Sequence, residues 1–74
     1  MRKALKLQNL DCANCAAKME SDISALEGVN KASISFMTQK LMIDVNGDAQ
    51  TFDTILDKAQ AICAKYEPDC VIVR

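Results

Sequence analysis

KASISFMTQKLMIDV, residues 31–45, alternates apolar and polar positions in two runs separated by a polar pair. Ala32, Ile34 and Phe36 fall on one side of the first run, with Lys31, Ser33 and Ser35 on the other. That two-residue period is the mark of a half-buried strand, here spanning 29–37. Leu41, Ile43 and Val45 make the matching apolar side of a second strand. Thr38-Gln39 between them predicts a tight turn, so the stretch reads as a β-hairpin. Asn46-Gly47-Asp48 ends it with a strong turn signal.

Outward from the hairpin, the period changes to that of helices. Downstream, Phe52, Ile55, Leu56, Ala59, Ile62 and Cys63 recur at helical spacing and predict a helix from about Gln50 to Lys65, with Tyr66 on the same stripe. Glu67-Pro68-Asp69 stops it, because proline disfavours helical geometry in the residue before it. CVIVR, residues 70–74, then predicts a closing strand. Upstream, Ala16, Met19, Ile23 and Leu26 predict a helix over 15–27, with Gly28 placed where a left-handed residue would end it. Arg2–Gln8 alternates, with Leu5 and Leu7 on one side and Ala4, Lys6 and Gln8 on the other. The order is βαββαβ. Two helices with one apolar stripe each can cover one face of a four-stranded antiparallel sheet, which predicts a ferredoxin-like α+β sandwich. No repeat or linker divides the chain, so residues 1–74 are expected to form a single domain.

Composition narrows the function. The chain has 74 residues, a formal net charge of −1 and a pI near 5.2. Such an acidic balance lacks the basic stripe that nucleic-acid binding requires. No apolar run approaches the ~20 residues that span a bilayer. Lys6 interrupts MRKALKLQNL before a signal-peptide core can form, so a cytoplasmic location is expected. Histidine is absent, which removes the commonest general base and the commonest neutral metal ligand together.

Of the four cysteines, Cys12 and Cys15 stand three positions apart in a polar loop (Asn9–Asn14) that leads from a strand into a helix. The helix N-terminus favours thiolate. A pair of thiolates selects soft or borderline cations such as Cu(I), Zn(II), Cd(II) or Pb(II). Asp11 adds an oxygen donor and a negative charge beside them, which suits a divalent ion better than Cu(I); helix capping is its competing role. A thioredoxin-like redox enzyme would need a longer chain and a proline facing the pair, whereas the one proline is Pro68. Cys63 sits on the buried stripe as a small hydrophobe. Cys70 is expected to be structural, with auxiliary ligation left open. A Cys63–Cys70 disulfide is not expected in a reducing cytosol. The four methionines share no local spacing that would make a copper box.

Asn9-Leu10-Asp11-Cys12-Ala13-Asn14-Cys15-Ala16 resembles the Gly-Met-x-Cys-x-x-Cys loop of the heavy-metal-associated domain family. The resemblance runs over nearly the whole chain, including Glu27-Gly28-Val29 and the hairpin at 31–45. Asp before the first cysteine, with Tyr66-Glu67-Pro68-Asp69, is most similar to the amino-terminal domains of zinc-, cadmium- and lead-exporting P-type ATPases. The resemblance implies capture of one Zn(II), Cd(II) or Pb(II) ion at Asp11, Cys12 and Cys15. It further implies ligand exchange with the membrane domain of a metal-transporting ATPase or with a metallochaperone, and no covalent catalysis by the domain itself. A free-standing copper(I) metallochaperone of the same fold is the alternative. The domain is expected to be a monomer, a metal-bridged dimer through shared thiolates remaining open. Asn9 replaces the family's glycine and Leu10 its methionine. Asn9 is expected to tolerate left-handed geometry, and Leu10 to act as the apolar anchor below the loop.

Overall fold

A computed structural model describes all residues from Met1 to Arg74. Its elements are β1 (Arg2–Gln8), α1 (Ala13–Ser24), β2 (Val29–Ser35), β3 (Lys40–Val45), α2 (Ala49–Tyr66) and β4 (Val71–Val73). The strands form one sheet in the order β2-β3-β1-β4, and every neighbouring pair is antiparallel. The architecture is the ferredoxin-like sandwich expected from the sequence. Leu5 and Leu7 of β1, Ala32 of β2, Leu41, Ile43 and Val45 of β3 and Ile72 of β4 are buried under Ala16, Met19 and Ile23 of α1 and the stripe of α2. All 17 buried residues are apolar, and no charged or polar side chain enters the core. The alternation of each strand therefore fixes which side the helices cover, since a one-residue slip would turn the whole apolar set outward.

The boundaries differ from the sequence expectation in three informative places. β2 ends at Ser35, whose partner is Lys40, so Phe36 lies in the turn rather than on the strand and is 36% exposed. The reversal is wider than a two-residue turn because Gln39 carries part of it, with a left-handed φ of 55°. The first helix starts at Ala13 and ends at Ser24, two residues earlier than expected at its start and three at its end. Gly28 is left-handed (φ 92°), but it turns the chain into β2 instead of capping α1.

A side chain at residue 28 would be doubly unwelcome, since a Cβ there would lie 3.1 Å from Ile55 Cδ1. Gly28→Ala is expected to cost about 1–2 kcal/mol from backbone strain alone. The measurement is the urea midpoint of the metal-free domain, which should fall while the metal-binding stoichiometry stays the same.

One register detail positions the functional end of the molecule. Gln8 of β1 pairs with Val71 of β4. The loop after the first strand and the turn before the last strand are therefore held side by side.

Candidate metal centre

The loop from Asn9 to Cys12 is restrained along its length. Asn9 is left-handed (φ 63°), as its replacement of glycine requires. It also does what glycine could not, donating from Nδ2 to the Asp69 carbonyl at 3.1 Å. Leu10 is 1% exposed and anchors the loop in the core. The Gln39 side chain grips the Leu10 backbone from the hairpin turn, donating to its carbonyl at 2.5 Å and accepting from its N–H at 3.2 Å. Cys12 is the N-cap of α1, in extended geometry, and its Sγ accepts the Cys15 N–H at 3.1 Å. The sulfur thus occupies the place that an Asp or Ser oxygen usually takes. Asp11, for which capping was a competing role, is not the cap. It is exposed.

A third donor comes from far along the chain. Glu67 is the C-cap of α2. Its N–H donates to the Cys63 carbonyl at 2.8 Å, and its own carbonyl accepts the Cys70 N–H at 2.9 Å. One residue earlier, the Tyr66 hydroxyl donates to the Asp22 carboxylate and ties α2 to α1. So fixed, Glu67 brings a carboxylate oxygen to the two sulfurs. The ligand atoms of Cys12, Cys15 and Glu67 all lie within 4.8 Å of one another, and all three residues are half-buried. A tetrahedral site with ~2.3 Å metal–sulfur bonds has donors about 3.8 Å apart, so modest side-chain adjustment would bring these three around one ion. Asp11 and Cys70 lie outside this group. In the sequence Glu67 stands out as part of a helix stop and of the Tyr66-Glu67-Pro68-Asp69 resemblance, but not as a metal ligand. The pairing of first and last strands was the available signal, because it places the residues before β4 beside the loop after β1.

The family model described as "Heavy-metal-associated domain" matches residues 4–67. The chain belongs to that family. Among curated proteins, this heavy-metal-associated domain is 37% identical over 62 residues to a cadmium, zinc and cobalt-transporting ATPase of Helicobacter pylori, covering 84% of the chain and 8% of that protein. It is also 37% identical over 59 residues to a zinc/cadmium/lead-transporting P-type ATPase of Escherichia coli, covering 78% of the chain and 8% of that protein. The chain thus spans about 8% of the length of these relatives. Among solved structures, the N-terminal domain of ZntA in its Zn(II) form superposes with a TM-score of 0.69 at 30% identity, over 96% of this chain and 86% of that one. A CopZ metallochaperone superposes equally well, with a TM-score of 0.69 over 99% of this chain and all of that one. At 13% identity, that likeness shows the fold alone. No helix of the domain is long and apolar enough to cross a membrane.

The two loop thiols of the heavy-metal-associated domain are not equivalent. Hydrogen bonds from the Cys15 thiol and backbone N–H hold Cys12 below the usual thiol range. Donating that bond raises Cys15, and partial burial raises it further. Cys12 is therefore the more readily ionised of the two thiols. Cys63 and Cys70 are buried and free of any disulfide. Burial, with the neighbouring Cys70 sulfur, pushes Cys63 up to about 12 from 9.0. Cys70 is raised mainly by burial. Iodoacetamide at mildly alkaline pH should label Cys12 first and Cys15 more slowly, and reach Cys63 and Cys70 only after unfolding. Mass spectrometry of partially alkylated protein checks the order. Because the folded form of Cys63 holds its proton more tightly, its contribution to stability is intact below about pH 9 and is lost as the pH climbs toward 12.

Proposed function

We propose that the domain captures one divalent soft cation, Zn(II), Cd(II) or Pb(II), as cargo and hands it by ligand exchange to the membrane domain of a metal-transporting ATPase. The carrying observation is the carboxylate of Glu67 beside the two sulfurs of Cys12 and Cys15. Two thiolates satisfy Cu(I), whereas a divalent ion gains from a third, anionic oxygen donor. Asp11, next to Cys12 at an exposed position of the loop, supplies further negative charge and a fourth donor when the loop adjusts around the ion. The Zn(II)-form ZntA domain and the zinc- and cadmium-transporting relatives support the same class of metal.

Exchange follows from the openness of the site. An incoming partner thiolate joins the ion at the solvent side, and one of the two cysteines then leaves, so the cargo is never released to water. Half-exposed sulfurs permit that approach. No covalent chemistry on the metal's partner is required of the domain, which works in the cytosol as a binding and delivery module.

The test is competitive titration of the reduced domain with Zn(II), Cd(II), Pb(II) and Cu(I), repeated on Glu67→Gln and Asp11→Ala. Glu67→Gln should weaken divalent binding by roughly 10–100-fold, on the scale of losing a supporting carboxylate, and leave Cu(I) nearly unchanged. Asp11→Ala should give a smaller loss in the same direction. Tight binding of Cu(I) alone, insensitive to both substitutions, would replace this proposal with the copper(I) metallochaperone.

A further inference from the structure

The charges of the domain are sorted between its two sides. The face of the sheet turned away from the helices presents Arg2 and Lys6 from β1, Lys31 from β2, and Lys40 and Asp44 from β3, because the alternate positions of these strands point into the core. Four of the chain's nine cations and one of its ten carboxylates therefore occupy one face. The remainder of the molecule holds five cations against nine carboxylates. A domain with net charge −1 thus has a sheet face of +3.

The register sharpens the asymmetry. Asp44 stands opposite Arg2 on one side and Lys31 on the other. At the far end, Lys6 stands directly opposite Lys40, an arrangement of like charges that destabilises a sheet. Neither lysine has a salt-bridge partner; the ion pairs of the molecule are those of Met1 with Asp44 and Arg74 with Asp57. Beside these cations the same face exposes Met42 (45%), Val71 (44%) and Val73 (38%).

We infer that this face docks on the headgroup layer of an anionic bilayer. The cations are spread over the face, Arg2 and Lys6 being about 13 Å apart along one strand, and suit an extended plane of negative charge better than a single acidic group. Lysine stems beside protruding Met42, Val71 and Val73 can lay apolar surface against the interface while their ammonium groups stay among phosphates. The molecule is 17 Å through at its thinnest, about two Debye lengths at physiological salt, so the carboxylates of the helical side oppose the contact only weakly. With this face of the sheet down, the loop carrying Cys12, which follows the end of β1, is left at the margin of the contact. The proposed function contributes only the nearness of a membrane. Docking is measured on metal-free protein, so its outcome is separate from that of the metal titration.

The experiment is co-sedimentation of the metal-free domain with phosphatidylcholine vesicles, with and without about one-third phosphatidylserine, at low and physiological salt. Amide shifts mapped by NMR accompany it. Net +3 on the face should enrich the protein on anionic vesicles by on the order of 100-fold over neutral ones, with shifts confined to the strands. Salt should weaken the binding. Lys6→Glu should weaken it tenfold or more, yet melt no lower than the parent, since it turns the opposed lysines into an opposite-charge pair. Equal partition to neutral and anionic vesicles, unchanged binding of Lys6→Glu, or shifts on the helices would overturn the proposal. So would binding of polyglutamate at these strands without binding of vesicles, which would assign the face to an acidic protein.

Discussion

Titrated with Cd(II), Cys12→Ala and Cys15→Ala are each expected to lose the tight one-to-one complex while keeping the fold. A structural zinc site in a small peptide is worth about 10–16 kcal/mol over four ligands, so one thiolate accounts for roughly 3 kcal/mol, or more than 100-fold in affinity. Both sulfurs are half-buried at the edge of the core rather than within it, so removing one leaves no large cavity. Cys12 has a second, structural role because its Sγ caps α1. Cys12→Ala should therefore also lower the melting temperature by a few degrees, in keeping with loss of a weak cap. Cys12→Ser separates the two effects: its hydroxyl keeps the cap, but a neutral oxygen is a poor substitute for a thiolate. It should melt like the parent and bind Cd(II) weakly. Parental affinity in either alanine variant would show that the ion is held elsewhere.

The largest effect on stability is expected from Met19→Ala. Met19 lies one helical turn beyond Cys15 and is fully buried, so its truncation opens a cavity under α1 that the surrounding side chains can only partly fill. Such substitutions cost about 2–5 kcal/mol, against a total of roughly 4–11 kcal/mol for a chain of this length. The melting temperature should drop by at least about 10 °C. Saturating Cd(II) should recover part of the loss, because a ligand that favours the folded form adds about 2.7 kcal/mol at 100 times its dissociation constant. Thermal melts followed by circular dichroism, with and without Cd(II), measure both numbers. A loss of only a degree or two would mean that α1 is held by something other than the core.

Much of this molecule is legible in its sequence because its periodicities are unmixed. Leu41, Ile43 and Val45 mark β3 with a period of two, and Phe52, Ile55, Leu56, Ala59 and Cys63 mark α2 with a helical one. The misplacement of Phe36 has a physical source: alternation continues one step past Ser35, while strand pairing ends where Gln39 begins the reversal. Local chemistry was enough to single out Cys12 and Cys15, since two thiols at that spacing before a helix converge without help from the rest of the chain. Asn9 also followed from local geometry, but its bond to Asp69 spans 60 residues and has no local trace. Glu67 is the same kind of case. The local chemistry of Glu67-Pro68-Asp69 is that of a helix stop, its family resemblance assigns it no ligand role, and only the β1–β4 pairing brings it to the sulfurs.

That pairing has a consequence during synthesis. Cys12 and Cys15 leave the ribosome well before Glu67 and the strand that seats it. At about 5–20 residues per second, the interval between Cys15 and Glu67 lasts roughly 3–10 s. Throughout that time the nascent chain exposes a flexible dithiol without the Glu67 carboxylate, which discriminates less well among soft cations. In the proposed site, preference for a divalent ion begins only when β4 zips onto β1. Any ion picked up earlier must be re-sorted then, so the selectivity of the proposed site is set by the completion of folding rather than by first contact with metal.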